Sequence, residues 1–161
     1  MPPSALPFTG AFAGWGSRVG ATLLDALVLL VLAIVLFAPG VVLTVVSEGG
    51  AAGIILLIVG ALAFFVVALL YASFFMQRDG EHNGQTLGKQ WVGIRVVRLD
   101  GQPFGWGGAL LREFAIKQLL FGMVGGFFLS IPTLLDWLWP LWDDENRALH
   151  DMVASTRVVR A

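Results

Sequence analysis

Arg18 and Asp25 stand seven positions apart at the start of a long apolar run. At 3.6 residues per turn they share one helix face, about 10 Å apart along the axis. From residue 19 to 46 Asp25 is the only charge. An ionised carboxylate inside hydrocarbon costs about 2.5–3.5 kcal/mol on insertion scales. Asp25 should therefore face other protein and find a partner, or carry a proton. Three roles fit: a proton, ion or ligand site, a buried clamp between helices, or a lipid-facing protonated acid. Asp136 is a second acid in apolar surroundings, next to Trp137 and Trp139, and reads as an interfacial polar residue. Asp143, Asp144, Glu145, His150 and Asp151 form an acidic tail with Arg147. Carboxylates of this kind suit a hard divalent cation, yet the pattern matches a solvated acidic turn better.

Other chemistries find no support in the residue types. Cysteine is absent, so disulfides, thiolate metal sites and cysteine nucleophiles are excluded. His82 and His150 lie far apart, with no HExxH and no Ser/His/Asp arrangement. No catalytic residue, metal ligand set or cofactor is therefore expected. The segment Gly84-Gln85-Thr86-Leu87-Gly88-Lys89 resembles a phosphate loop, but it is one residue short of GxxxxGK, and Gln90 replaces the required Ser or Thr. Net charge is −1, which points to no nucleic-acid partner.

The elements that carry these residues are membrane segments. The chain is 57% hydrophobic and 13% charged, against about 45–50% and 25% in soluble domains. Its 161 residues suit one domain. Crossing about 30 Å of hydrocarbon takes about 20 apolar residues. Two stretches qualify, about 16–38 and 51–76; Pro39-Gly40 ends or kinks the first, or Val41 to Val46 continue it, and Ser47-Glu48-Gly49-Gly50 is the tight loop between. The first is too long for a signal-peptide core and reads as an uncleaved span. Trp15 and Arg18 suit an interface anchor.

A third membrane segment spans about 106–142. Glu113 and Lys117 share a face at i,i+4, so it begins like an amphipathic helix lying in the interface. Gly122, Gly125, Gly126, Ser130 and Pro132 then interrupt it. It is either one tilted span or a broken, hairpin-like segment. The loop at 47–50 has no Lys or Arg, whereas Arg78, Lys89, Arg95 and Arg98 follow the second span. The positive-inside rule then places the N-terminus and the 77–105 loop in the cytoplasm. A broken third segment keeps the 143–161 tail there too, and charge asymmetry favours it. Ile94 to Val97 and Thr156 to Val159, IRVV and TRVV, are β-branched and suit short paired strands. Gly16/Gly20 and Gly122/Gly126 have GxxxG spacing, which suits close helix packing within the chain or between copies. The expected fold is an all-α integral membrane domain with a helical hairpin, a broken third segment and short cytoplasmic β-strands.

Three stretches carry a resemblance: SRVGATLLD at 17–25, GQTLGKQWVGIRVVRLDGQPFGWGGALLRE at 84–113, and RALHDMVASTRVV at 147–159. In this order they resemble the RDD family of bacterial membrane proteins, which is named for an arginine and two aspartates. The resemblance implies that the arginine is Arg18, the first aspartate Asp25 and the second Asp151, with Asp136 as the alternative. It implies residence in the bacterial inner membrane and, as a common suggestion for the family, transport of an unidentified ligand. Two functions are carried forward. One is cation, proton or small-ligand transport, with Asp25 as carrier and Arg18 tuning it. The other is a non-catalytic accessory subunit of a larger membrane complex, such as a respiratory or secretion assembly. A chain this small also suits a homo-oligomer.

Overall fold

The computed structural model describes residues 10–124 and 130–161. Gly125 and Gly126, expected to interrupt the third segment, lie outside the described residues, as do Pro2, Pro3, Pro7 and Phe8.

Helix α1 runs Trp15–Val46 and α2 runs Ala51–Met76, joined by the turn at 47–50. At 1.5 Å per residue they measure about 48 and 39 Å, long enough to cross a bilayer. α1 does not stop at Pro39 but continues for two more turns. Proline removes one N–H, yet outside water every other backbone group must still be paired, so the helix persists. α1 and α2 pack on each other, with close approach at glycines. A Cβ on Gly60 would stand 2.8 Å from Leu36 O, and one on Gly53 would stand 2.3 Å from Thr44 Oγ1. Of the glycines at GxxxG spacing, Gly16 makes no close approach within the chain: a Cβ there would meet nothing within 4 Å, and one on Gly20 only Val92 Cγ2 at 3.9 Å.

Both helices are apolar all round, and within their most apolar windows only 6% and 11% of residues are buried. Leu23, Ile34, Val35, Ile55, Leu62 and Phe65 are all more than half exposed. A soluble protein would bury such helices; exposed on this scale they need lipid. The chain is a membrane protein.

The polar elements gather where α1 begins and α2 ends. Short helix α3 (Leu87–Val92) starts at Thr86, whose Oγ1 accepts from Lys89 N, and stops at left-handed Gly93. Strand β1 (Ile94–Arg98) pairs antiparallel with β2 (Thr156–Arg160), Val96 opposite Val158. Thus the two β-branched segments do meet, and Phe12 forms a further bridge to Val159. Gly84 has φ +76°, and a Cβ there would stand 2.0 Å from Val96 O, so only glycine fits this turn. A small core of Met76, Ile94, Val96, Phe104, Ala109 and Val158 lies beneath.

After α4 (Trp106–Leu110) the chain passes into a π-helical stretch, Leu111–Val124. Helix α5 (Ile131–Leu138), a 3-10 turn (Trp139–Leu141) and helix α6 (Leu149–Val153) complete it. The start of the third segment differs from an interface-lying amphipathic helix. Arg112 and Glu113 are each 2% exposed, so its charged face turns inward. Burial of these charges is possible because each meets an opposite charge there.

Candidate functional site

The two charges that share a face of α1 part company. Asp25 points to the loop before α3. Its Oδ1 accepts from Tyr71 Oη at 2.8 Å and from Gly88 N at 2.7 Å, and its Oδ2 accepts from Thr86 Oγ1 at 2.6 Å. Gly88 allows this approach: a Cβ there would stand 2.1 Å from Ala21 O and 2.9 Å from Asp25 Cγ. The GQTLGK segment therefore uses the donors of a phosphate loop, a hydroxyl and a backbone N–H at a helix start, on the protein's own carboxylate.

Arg18 turns the other way, to the tail. Its Nη1 donates to Asp151 Oδ2 at 2.5 Å and its Nε to Ala13 O. Asp151 is wholly buried at the start of α6. Its Oδ2 also accepts from Ala148 N, and its Oδ1 accepts from Arg112 Nη2 at 2.5 Å and from Thr156 Oγ1 at 3.3 Å. Burial alone would raise the Asp151 pKa; His150, Arg112 and Arg18 outweigh it and hold the carboxyl well below the usual range. Arg112 is the hub. It donates through Nη1 to Glu113 and through Nε to Thr156 Oγ1, and Lys117 reaches Glu113 from the other side at 3.5 Å.

Asp136 belongs to the same network rather than to a solvated interface. It is 2% exposed and accepts from His150 N at 2.8 Å, while His150 Nδ1 stands 2.7 Å from its Oδ2. His150 Nε2 is 3.1 Å from Arg112 Nη2. His150 thus links Asp136 to Arg112. Arg147 lies apart. It clasps Asp143 through Nε and Nη2, which leaves the acidic turn an ion-paired one. Among the described residues no three His, Cys, Asp or Glu are placed to hold a metal ion.

The structure thus unites Arg18, Asp151, Asp136 and His150, and separates Asp25 from Arg18. Arg112, Glu113, Tyr71, Thr86 and Lys89 did not emerge as site residues from spacing alone. The signal for the first two was present: a charged Arg-Glu pair flanked by Leu110, Leu111 and Phe114 has to be paired if it is buried.

No solved structure matches the chain. A "Proline-rich antigen" of Mycobacterium leprae (strain TN) is 26% identical over 102 residues, covering 61% of this chain and 37% of that protein. The chain thus matches little more than a third of that relative's length. The model of the RDD family matches residues 12–155, which hold the whole hairpin, the Asp25 cradle and the Arg18–Asp151 pair. The chain belongs to the RDD family.

Proposed function

We infer that the chain is a non-catalytic accessory subunit of a larger membrane complex in the bacterial inner membrane, with its polar end in the cytoplasm. One observation carries this reading: all four carboxylate oxygens of Asp25 and Asp151 accept hydrogen bonds from the chain itself. A carrier group has to exchange its partners. These two instead clamp the 84–92 loop and the tail to α1. The alternative, cation or proton transport through Asp25, has less support, since the three donors on Asp25 occupy the positions a cation would take. The orientation rests on charge. None of the ten Lys and Arg lies in the 47–50 turn, and the positive-inside rule then sets the opposite end in the cytoplasm.

Purification in mild detergent should bring down larger membrane proteins with the chain; recovery of a lone homo-oligomer counts against the accessory role. Reconstituted vesicles should show no proton or cation flux above protein-free controls. A flux abolished by Asp25→Asn in a folded protein would establish the transport reading instead. A reporter fused after Ala161 should read cytoplasmic, and a periplasmic reading would reverse the orientation.

A further inference from the structure

Beside the clamp lies a cavity of about 70 Å³, between the start of α1, α3 and the third segment. At roughly 10–15 Å³ of such volume per water-sized group, it has room for about five of them, the heavy-atom count of a phosphate group. Arg18, Lys89, Arg112 and Lys117 line it, with Asp136 and His150. Asp136 is the one carboxylate among the described lining residues, and His150 already occupies it.

The positive charge is not used up. Arg112 and Lys117 spend theirs on Glu113 and Asp151. Arg18 gives Nη1 to Asp151, but its Nη2 is buried with no hydrogen-bond partner among the described residues. Lys89 is half-buried, and its Nζ forms no hydrogen bond or ion pair among the described residues. Burial lowers its pKa to about 8, with Lys117 and Arg112 adding to the effect and Glu113 and Asp25 opposing it. Leaving a charged donor buried and unpaired is costly; Arg18 Nη2 is such a donor, and the unpaired Lys89 lines the same cavity. A planar guanidinium and a compact ammonium together suit a tetrahedral oxyanion. Trp15 and Trp137 share the cavity wall, and Trp15 Nε1 donates to Trp137 O at 3.0 Å. Tryptophans at the end of a span mark headgroup depth, so the cavity is within reach of lipid phosphate as well as of soluble anions.

We propose that this cavity binds a phosphate-class oxyanion, with Arg18 Nη2 and Lys89 Nζ as its direct ligands and Lys117 at its edge. The source is a lipid headgroup or a free phosphate, and two titrations separate them. The full chain in mild detergent is titrated with inorganic phosphate at constant ionic strength, chloride making the balance, and its melting is followed. In parallel, the chain is placed in phosphatidylcholine nanodiscs with and without phosphatidic acid, and retained lipid is counted by native mass spectrometry. Stabilisation by inorganic phosphate identifies a soluble anion; retention of phosphatidic acid without a response to phosphate identifies a headgroup. In either arm Lys89→Met should weaken binding by about 10–100-fold, and Lys89→Arg should restore most of it. Absence of binding in both arms, or equal binding by wild type and Lys89→Met, overturns the site. If Lys89→Met fails to fold, Lys117→Gln decides: a several-fold loss supports the site, and unchanged affinity overturns it.

Discussion

Replacing Lys89 by methionine should make the anion-free protein more stable. The half-buried ammonium has no hydrogen-bond or ion-pair partner among the described residues, and its pKa falls from 10.5 to about 8, mainly through burial. At about 1.4 kcal/mol per pH unit, that displacement corresponds to about 3 kcal/mol for a wholly enclosed group. Lys89 as a residue is only partly buried, so solvent screening reduces the penalty to the order of 2 kcal/mol. Methionine keeps the apolar stem and removes the charge. Melting in mild detergent at pH 7 without phosphate should therefore rise by about 4–8 °C, at roughly 2–4 °C per kcal/mol for a chain of this size.

The same group fixes a pH signature. Below pH 8 folded and unfolded chains both hold the Lys89 proton, and the penalty is complete. Between pH 8 and 10.5 the unfolded chain holds more protons, so wild-type stability climbs with pH. Lys89→Met should lack that climb. Melting of Lys89→Met at or below wild type, together with the same pH slope in both proteins, would refute the reasoning. Glu113 and Asp25, the nearby carboxylates, would then be pairing Lys89 fully.

Gly88→Ala should destabilise by about 1–3 kcal/mol or more, because its Cβ would stand 2.1 Å from Ala21 O. Gly107→Ala in α4, with nothing within 4 Å of the new Cβ, should instead stabilise by up to about 1 kcal/mol; paired melts in one detergent check both. Asp25→Asn keeps an acceptor for Tyr71 and Gly88, and an amide that Thr86 can meet, so it should cost about 1 kcal/mol. Asp25→Leu strands three donors and should cost several-fold more, measured by the same melts. Asp151→Asn should cost about 3–5 kcal/mol by leaving Arg18 and Arg112 buried beside a neutral group. Hydrogen exchange should show it loosening residues 149–160 before the 84–92 loop, the reverse of Asp25→Asn. In wild type the Asp151 contribution is present above the ordinary carboxylate pKa, near 3.9, and is lost only as pH falls through its lower folded value; acid titration of the melt tests this.

The hairpin was legible because two uninterrupted apolar runs admit one solution in lipid. The strand pair was legible because IRVV and TRVV have the same β-branched pattern. Proline left the end of the first span open, and the helix runs on through it to Val46, because outside water a broken helix has no solvent to hydrogen-bond. The site was harder. Periodicity places Arg18 and Asp25 on one face, but it does not say which distant element each side chain reaches. Arg18 reaches residue 151 and Asp25 reaches residues 71, 86 and 88. Only the family resemblance linked Arg18 with Asp151 in advance. The i,i+4 spacing of Glu113 and Lys117 suggests an amphipathic face, but an Arg-Glu pair between Leu111 and Phe114 admits burial equally well.

The arginine and two aspartates therefore serve two clamps anchored on the first turns of α1. Asp25 holds the loop that follows α2, and Arg18 holds the tail through Asp151. Between the two clamps lie α3, with Lys89, and the third segment, with Arg112 and Lys117. A net charge of −1 hides this local surplus, because acids such as Glu48, Asp100 and Asp143 lie elsewhere, in a turn or in ion pairs of their own. Structural clamping needs Arg18 Nη1, which Asp151 takes; it does not need Nη2 or the Lys89 ammonium. A buried guanidinium nitrogen and a half-buried ammonium with no hydrogen bond among the described residues are a cost to the fold, and a bound oxyanion is the chemistry that would offset it. On this view the clamps and the cavity are one construction: the carboxylates consume enough positive charge to let the segments close, and leave enough to attract an anion.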